Sequence, residues 1–467
     1  MTHPLSGALQ EPGLGSTSAG PSPKQRQLSG LQAMVLVGTA LAAIGLVVVV
    51  GHLRQPPPRS PVLQQLSSRF AAPATGGSLA ERVSRTQDRL RTQPDDSGGW
   101  AVLGSLYVES ARVSADPNFY PKAEGALGRS LTLRGEGNWQ ALAGQAALAN
   151  ARHDFAQGLV WADRARQANP DSATVWGSLG DSLLELGRYD EGFDAVQHMV
   201  DLEPSLASYA RVSYARELQG DVDGAIVAME AALKVASSGA QRAFAEHQLG
   251  ELYWNRGDVA GAVAHYGRAI RFDGSFVAAQ AALARSAWAE GRTEDAIAGY
   301  RSVVDRQPLP QYVAQLADLY TVTGQPRLAQ EQLGLLDAQQ QLQRASGVNI
   351  DLENALVSAD HRVDLARGLE AAQAEWGRRK SVFVADALAW QLHANGRDLE
   401  AVAVADQALA MGTSNAQFHY HRALILLALG QRNEARDELG RALAINPNFS
   451  VLHAGRAADL LGTLRAA

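Results

Sequence analysis

The chain has 467 residues, of which 46% are apolar and only 6% aromatic, a composition that favours a large core of close-packed helices. Its 42 basic and 48 acidic residues give a net charge of -6, which argues against a general nucleic-acid binder. Because cysteine is absent, disulfides, thiolate metal sites, iron–sulfur clusters and cysteine nucleophiles are excluded.

The N-terminal part of the chain predicts a membrane anchor. Residues 1–30 are rich in Gly, Pro, Ser and Gln without a hydrophobic period, which is typical of a disordered tail. No charged residue lies between Arg26 and Arg54. The apolar run from Leu31 to Val50 would span roughly 30 Å as a helix, about one hydrocarbon thickness. Since no small-x-small cleavage site follows closely, we predict an uncleaved, single-pass transmembrane signal anchor over residues 31–53.

The segment after this span, residues 54–78, is rich in proline and predicts a partly stiffened linker. Basic residues are nearly balanced across the span, with Lys24 and Arg26 before it and Arg54, Arg59 and Arg69 after it, so charge does not fix the orientation. A short tail translocates less often than a large domain that follows a signal anchor. We therefore expect the C-terminal domain to be extracytoplasmic.

Residues 79–467 contain a repeat of about 34 residues. Glycines mark its period at Gly187, Gly220, Gly257, Gly291, Gly324, Gly396 and Gly430, and the double gap before Gly396 places another turn near His361. Five residues after each glycine stands Gly or Ala, and seven residues before it stands a small residue. These columns predict antiparallel helix pairs, in which glycine ends the first helix and small residues let the two helices approach closely.

The pattern resembles the tetratricopeptide repeat, most clearly at Trp176, Leu179-Gly180, Gly187, Tyr189 and Pro204. This resemblance implies an all-α, right-handed superhelical solenoid of about ten helix pairs, with an N-terminal half-repeat over residues 78–94 and a capping helix over residues 450–467. The segment from Pro94 to Trp100 is also similar to the repeat region of the cytochrome c maturation factor with an anchored repeat domain. Residues 347–380 lack the glycine turn and predict an irregular repeat.

No motif indicates an enzyme, a cofactor or a metal site. The sequence has no P-loop, no dinucleotide glycine motif and no His-Glu-x-x-His. His419 and His421 are two residues apart, so on a helix they point in different directions and cannot share a metal. Asp360 and His361 fall in the turn of the irregular repeat, where a solvated turn is the simplest interpretation. We therefore expect a protein without catalytic activity, cofactor or bound metal.

The resemblance implies a partner-binding groove on the concave side, lined by positions 2, 5, 9 and 12 of each repeat when the turn glycine is position 15. Aromatic side chains and carboxylates recur at these positions, which favours a protein or peptide partner with basic and apolar residues. The candidate groove residues are Tyr214, Glu217, Phe244, His247, Glu251, Trp254, Arg285, Trp288, Asp318, Phe383, Asp386, Trp390 and Tyr420, with Asp181, Leu184, His393 and Leu424 at further groove positions.

The function expected from the sequence is that of a membrane-tethered scaffold for a protein partner, in bacterial cell-envelope assembly. The alternative is a sensor or receptor that binds a small ligand or glycan in the same groove, for which Trp254 and Trp288 offer stacking surfaces in adjacent repeats. A peptide groove should run continuously over several repeats, whereas a small-ligand site should be one closed pocket.

Overall fold

The computed structural model describes residues 78–114 and 116–466, which fold as α-helices without any β-strand in those two ranges. The predicted tail, the predicted span at residues 31–53 and residues 54–77 of the linker lie outside them. No helix within the described ranges is long and apolar enough to cross a membrane. The described residues belong to one compact unit.

The described residues form 22 helices. Their bounds are α1 Leu79–Thr92, α2 Ser97–Ser114, α3 Phe119–Leu133, α4 Trp139–Ala151, α5 Phe155–Ala168, α6 Ala173–Glu185, α7 Tyr189–Leu202, α8 Leu206–Leu218, α9 Val222–Val235, α10 Gly239–Asn255, α11 Val259–Phe272, α12 Val277–Ala289, α13 Thr293–Arg306, α14 Pro310–Val322, α15 Pro326–Ala345, α16 Asp351–His361, α17 Leu365–Arg378, α18 Val382–Ala394, α19 Asp398–Leu409, α20 Ala416–Ala428, α21 Arg432–Ile445 and α22 Ala454–Ala466.

Helices α2–α21 form ten consecutive pairs, as the repeat predicts. All seven turn glycines adopt a positive φ, between 70° and 82°, which glycine reaches without steric cost. The small-residue column is explained by close approach of the helices: a Cβ on Gly250 would lie 2.3 Å from the Tyr266 ring, and one on Gly104 would lie 2.5 Å from Leu127. The positions at which each repeat has a small residue are therefore the positions at which the two helices of a pair are in contact.

The irregular repeats also fold as helix pairs. In the first pair, α3 begins after an insertion and still buries Ala123 and Leu127 completely. In the eighth pair, α16 ends at His361 and Arg362 takes the left-handed conformation in place of glycine. Helix α15 has 20 residues, against 12 to 15 for the other second helices.

Single helices close both ends of the array. Ser78 and Glu81 form a reciprocal capping box at the start of α1, which buries Leu90. At the other end, α22 places Ala457 and Leu461 in the same core as Leu439 of the last repeat. Both helices thus cover faces that the terminal repeats would otherwise expose.

The superhelix is closed by contacts between successive turns, which the sequence analysis did not anticipate. Hydrogen bonds join residues 192 to 196 positions apart, between the turn of one repeat and the linker that lies five to six repeats later. Thr413 Oγ1 donates to the Leu218 carbonyl at 2.5 Å, and Asn446 Nδ2 donates to the Trp254 carbonyl at 2.8 Å. We call this line of contacts the seam.

A buried ion-pair cluster lies at the centre of the seam. Arg379 Nη1 donates to Glu185 Oε2 at 2.5 Å, and its Nε donates to Glu375. All three side chains are at most 2% exposed. The guanidinium also lies over the Phe155 ring. Together with the other hydrogen bonds of the seam, this arginine holds the second superhelical turn against the first, and the concave face becomes the wall of a channel between the turns.

Candidate partner-binding channel

Two adjoining cavities occupy the channel. The central cavity has a volume of about 480 Å³ and lies against α8, α10, α12 and α14, with residues 413–417 and 446–449 on its far wall. The apolar cavity has a volume of about 340 Å³ and lies against α12, α14, α15 and α16. Arg285, Gln311, Gln315, Gln417 and Phe449 line both, so the two cavities adjoin at these residues.

Several predicted groove residues come together here. Those that line the central cavity are Tyr214, Glu217, His247, Glu251, Trp254, Arg285 and Phe383. Trp288 and Asp318 line the apolar cavity, as Arg285 does. The register of the repeat therefore locates a site that draws on residues more than 160 positions apart in the sequence.

Arg285 organises the floor of the central cavity. Its Nη2 donates to Glu251 Oε1 at 2.7 Å and to the Tyr266 hydroxyl at 2.9 Å, while that hydroxyl donates to the same Glu251 oxygen at 2.7 Å. The guanidinium carbon lies 4.2 Å from the centre of the Trp254 ring. Burial is the largest single influence and favours the neutral form of Glu251, but the charge of Arg285 and the hydrogen bonds from Arg285 and Tyr266 together outweigh it and lower the pKa of Glu251. Glu251 is therefore an ionised carboxylate whose charge is already neutralised.

This geometry corrects two expectations from the sequence. Trp254 is only 4% exposed and belongs to the hydrophobic core, so its truncation would damage packing as well as any binding. The groove is also less acidic than the residue list suggests. Glu251 pairs with Arg285, Asp318 with His361 at 3.0 Å, and Asp386 with His421 at 2.9 Å.

Glu217 differs from those carboxylates because none of the cationic side chains in the described ranges pairs with it. Its Oε1 accepts one hydrogen bond, from Asn255 Nδ2 at 2.7 Å. Burial raises the pKa of Glu217, and the nearby charge of Glu251 acts in the same direction. Glu217 thus supplies the central cavity with a carboxylate that pairs with no cation of the described chain and that is costly to ionise without one.

The central cavity also collects polar atoms without hydrogen-bond partners. Among the described residues, His247 Nδ1, Arg285 Nε, Gln311 Nε2 and the Tyr312 hydroxyl are buried and make no hydrogen bond of acceptable geometry. Burial lowers the pKa of His247 to about 4, which leaves the ring neutral near pH 7. Buried polar groups are normally paired, so four such atoms on residues that line one cavity mark a part of the channel that is less completely hydrogen-bonded than an ordinary core.

The apolar cavity has a different lining. Trp288, Leu309, Leu336, Ile350 and Val451 contribute aliphatic and aromatic surface to it. Asp318 and His361 stand in its wall as a hydrogen-bonded pair. The predicted solvated turn at Asp360 and His361 is wrong, because the side chains of these residues are only 19% and 8% exposed. The channel therefore changes along its length from a polar to an apolar lining.

The remaining predicted groove residues lie outside both cavities. Phe244 is 7% exposed and packs in the core of repeats four and five. Trp390, Tyr420 and Asp386 belong to a filled network in repeats eight to ten, where Trp390 stacks on His421 with ring centres 4.2 Å apart. His421 is fully buried in that network, whereas His419 contacts Glu438 on the other face of α20, so the predicted separation of the two histidines is confirmed.

Sequence reasoning missed several lining residues. Gln311 and Gln417 occupy position 2 of their repeats, the first of the four groove positions, but they are neither aromatic nor charged, so the sequence pattern did not single them out. Tyr300 and Tyr312 also line the central cavity. Residues 413–416 and 446 reach it only through the seam, and no local sequence pattern could have indicated them.

Comparison with known proteins identifies the class. Residues 142–207 and 247–309 match one family model described as tetratricopeptide repeat, and residues 416–449 match a second with the same description. Together with the ten helix pairs, these matches show that the chain belongs to the tetratricopeptide repeat superfamily. The tetratricopeptide repeat fold implies protein or peptide partners.

Particular proteins are similar over shorter or more divergent stretches. The cytochrome c-type biogenesis protein CycH of Pseudomonas aeruginosa is 27% identical over 129 residues, which is 27% of this chain and 30% of that protein. The chain therefore spans less than a third of that relative's length. Among solved structures, the APC/C hetero-tetramer Cut9–Hcn1 is 17% identical with a TM-score of 0.37, covering 82% of this chain and 81% of that one. A tetratricopeptide repeat protein from Parabacteroides merdae is 15% identical with a TM-score of 0.33, covering 56% and 98%.

Proposed function

We propose that this protein is a membrane-tethered, non-enzymatic scaffold of a bacterial cell envelope, and that it holds a segment of a protein partner inside the channel. The observation that carries this proposal is that two adjoining cavities extend along α8, α10, α12, α14 and α16. A site of that length suits an extended or helical segment better than a compact molecule. The central cavity has polar atoms without partners, and the apolar cavity is lined by apolar side chains. Together they match a partner segment that contains both polar and apolar residues.

The direct test compares partner capture by the full chain, purified in detergent, with capture by Trp288→Ala and by Val227→Ala. Trp288 is half-buried in the apolar cavity, whereas Val227 is 58% exposed on the second helix of its repeat. Loss of an aromatic anchor in an interface commonly costs about 2 kcal/mol, roughly thirtyfold in affinity. We expect Trp288→Ala to lose the partner and Val227→Ala to retain it. Equal capture by both variants would place binding elsewhere.

The membrane anchor is a separate part of the proposal and rests on the uncharged run at residues 31–53. Extraction of membranes with alkaline carbonate should leave the full chain in the pellet, because a transmembrane helix resists this treatment. A variant that lacks residues 31–53 should move to the supernatant. Release of the full chain by carbonate would contradict the anchor without affecting the binding proposal.

Among envelope pathways, we propose assembly of c-type cytochromes, supported by the 129-residue similarity to CycH. Deletion of the gene should then lower covalently bound haem in membrane and soluble fractions, measured by haem staining of denatured proteins. An unchanged stain would reject this pathway and leave the scaffold proposal intact.

A second function is favoured by a specific observation. The central cavity, at about 480 Å³, falls within the volume range of small-molecule sites, so a sensor of a small ligand or glycan is the alternative. Thermal-shift screening of the full chain against small metabolites and oligosaccharides tests it. A hit that binds the full chain and prevents every peptide from entering the channel would favour the sensor.

A further inference from the structure

The charges of the central cavity do not balance. Glu251 and Arg285 neutralise each other, and His247 is neutral near pH 7. Glu217 is then the carboxylate of this cavity that accepts one amide hydrogen bond and pairs with no cation of the described chain. Without a cation nearby the ionised form of this partly buried carboxylate is unfavourable, which raises its pKa, so an occupant that carries a positive charge would stabilise the ionised form and be held there.

The surroundings of Glu217 suit an organic cation. Tyr214 lies one helical turn earlier on α8 and lines the same cavity, and Phe383 reaches it from the next superhelical turn. Both pack against the same hydrophobic cluster, so two aromatic rings line the same cavity as this carboxylate. Aromatic faces attract ammonium and guanidinium groups, and this attraction strengthens where water is excluded. Asn255 holds one oxygen of Glu217, so the carboxylate is oriented before a ligand arrives.

We propose that Glu217 is the specificity-determining residue of the channel and that it binds a Lys or Arg side chain of the partner segment while apolar side chains of the same segment enter the apolar cavity. This inference rests on the proposed function, because it assigns the partner's chemistry at the same site. The apolar cavity determines how the partner segment is oriented in the channel. The segment's basic residue lies toward α8, and its apolar residues lie toward α14 and α16. The channel therefore binds such a segment in one direction.

The test uses random peptides displayed on phage and selected on the full chain in detergent, with wild type, Glu217→Gln and Glu400→Gln in parallel. Glutamine keeps the shape and the acceptor for Asn255 but removes the charge. Glu400 is the matched control, since its carboxylate is 58% exposed on α19 and pairs with Arg397. Circular dichroism checks that each variant keeps its helix content.

We expect wild type and Glu400→Gln to select peptides enriched in Lys or Arg beside apolar residues, and Glu217→Gln to select apolar peptides without basic enrichment. A synthetic wild-type-selected peptide should bind Glu217→Gln at least about tenfold more weakly, because a desolvated charge pair is lost. That loss should change little with salt, because partly buried charge pairs are screened much less than exposed ones.

The outcomes separate this inference from the proposed function. If Glu217→Gln retains both the basic enrichment and the affinity while Trp288→Ala loses the peptide, the channel binds peptides but Glu217 does not choose them, and the inference fails alone. If Trp288→Ala and Glu217→Gln both bind the selected peptides as wild type does, the channel is not the site and both proposals fail.

Discussion

Most groove positions of repeats four to seven line the cavities, whereas most of those in repeats eight to ten are packed; Phe244 in the first region and Phe383 and Gln417 in the second are exceptions. In the first region, Glu217, His247, Arg285 and Gln311 face a cavity and leave polar atoms or charge unsatisfied. In the second, the equivalent positions close into a network in which Asp360 accepts hydrogen bonds from Trp390 at 2.8 Å and from His453 at 3.0 Å. The two regions share one repeat register, so the register alone does not make a residue available for binding.

The difference arises from what covers each region. The network of repeats eight to ten is filled by His453, which precedes the capping helix and stacks on Tyr420 with ring centres 5.0 Å apart. The cavities lie between two superhelical turns that the seam holds side by side. The packed region therefore stabilises the array, and the open region is left for a partner.

The largest expected difference between the two regions is in the free energy of unfolding after one tryptophan in each is replaced by alanine. Trp390→Ala should lower the free energy of unfolding by about 3 kcal/mol or more, since it removes a buried aromatic ring and its hydrogen bond to Asp360. Trp288→Ala should cost much less, because its side chain is half-buried beside a cavity. Thermal unfolding followed by circular dichroism compares the two variants. Equal destabilisation would show that both regions are packed alike.

The seam can be tested by removing its buried arginine. Arg379→Met leaves Glu185 buried without a cation and should cost about 3 kcal/mol, while the double variant Glu185→Gln with Arg379→Met should recover part of that loss. Because the seam encloses the channel, the single variant should also increase the radius of gyration in small-angle scattering. A single variant with unchanged stability and radius would show that the turns do not depend on this contact.

A smaller effect is expected at the boundary between the regions, where the contribution of His361 to folding stability should depend on pH. Burial opposes protonation of His361, but the hydrogen bond and charge of Asp318, with Asp360 nearby, raise the pKa of His361 above its usual value near 6.5. This stabilisation is complete below pH 6.5 and is lost as pH rises through the higher pKa of the folded state.

The unfolding temperature of wild type should therefore exceed that of His361→Gln by more at pH 6 than at pH 9. His453, whose ring also faces Asp360, provides the control variant His453→Gln, which keeps His361 and should retain the trend. A gap between wild type and His361→Gln that widens with pH would contradict this assignment.

The sequence predicted the part of the fold that local contacts determine. Gly187 and Gly430 mark their turns because a left-handed residue is needed there, and Gly250 is small because Tyr266 packs against it. The same register placed Glu217 and Arg285 at a common site. It could not separate Trp288 from Trp390, since their environments depend on α15 and on His453, far along the chain. The seam was missed because a hydrogen bond such as Thr413 to Leu218, 195 residues apart, leaves no periodic pattern.

The most direct test of the central claim is site-specific photo-crosslinking in cells that express the full chain. A benzophenone amino acid at Gln315, which lines both cavities, should form a covalent adduct with a protein partner, and the Glu217→Gln change in the same chain should weaken that adduct. The same probe at Val227, exposed on α9, should give none. An adduct at Val227 together with none at Gln315 would contradict partner binding in the channel.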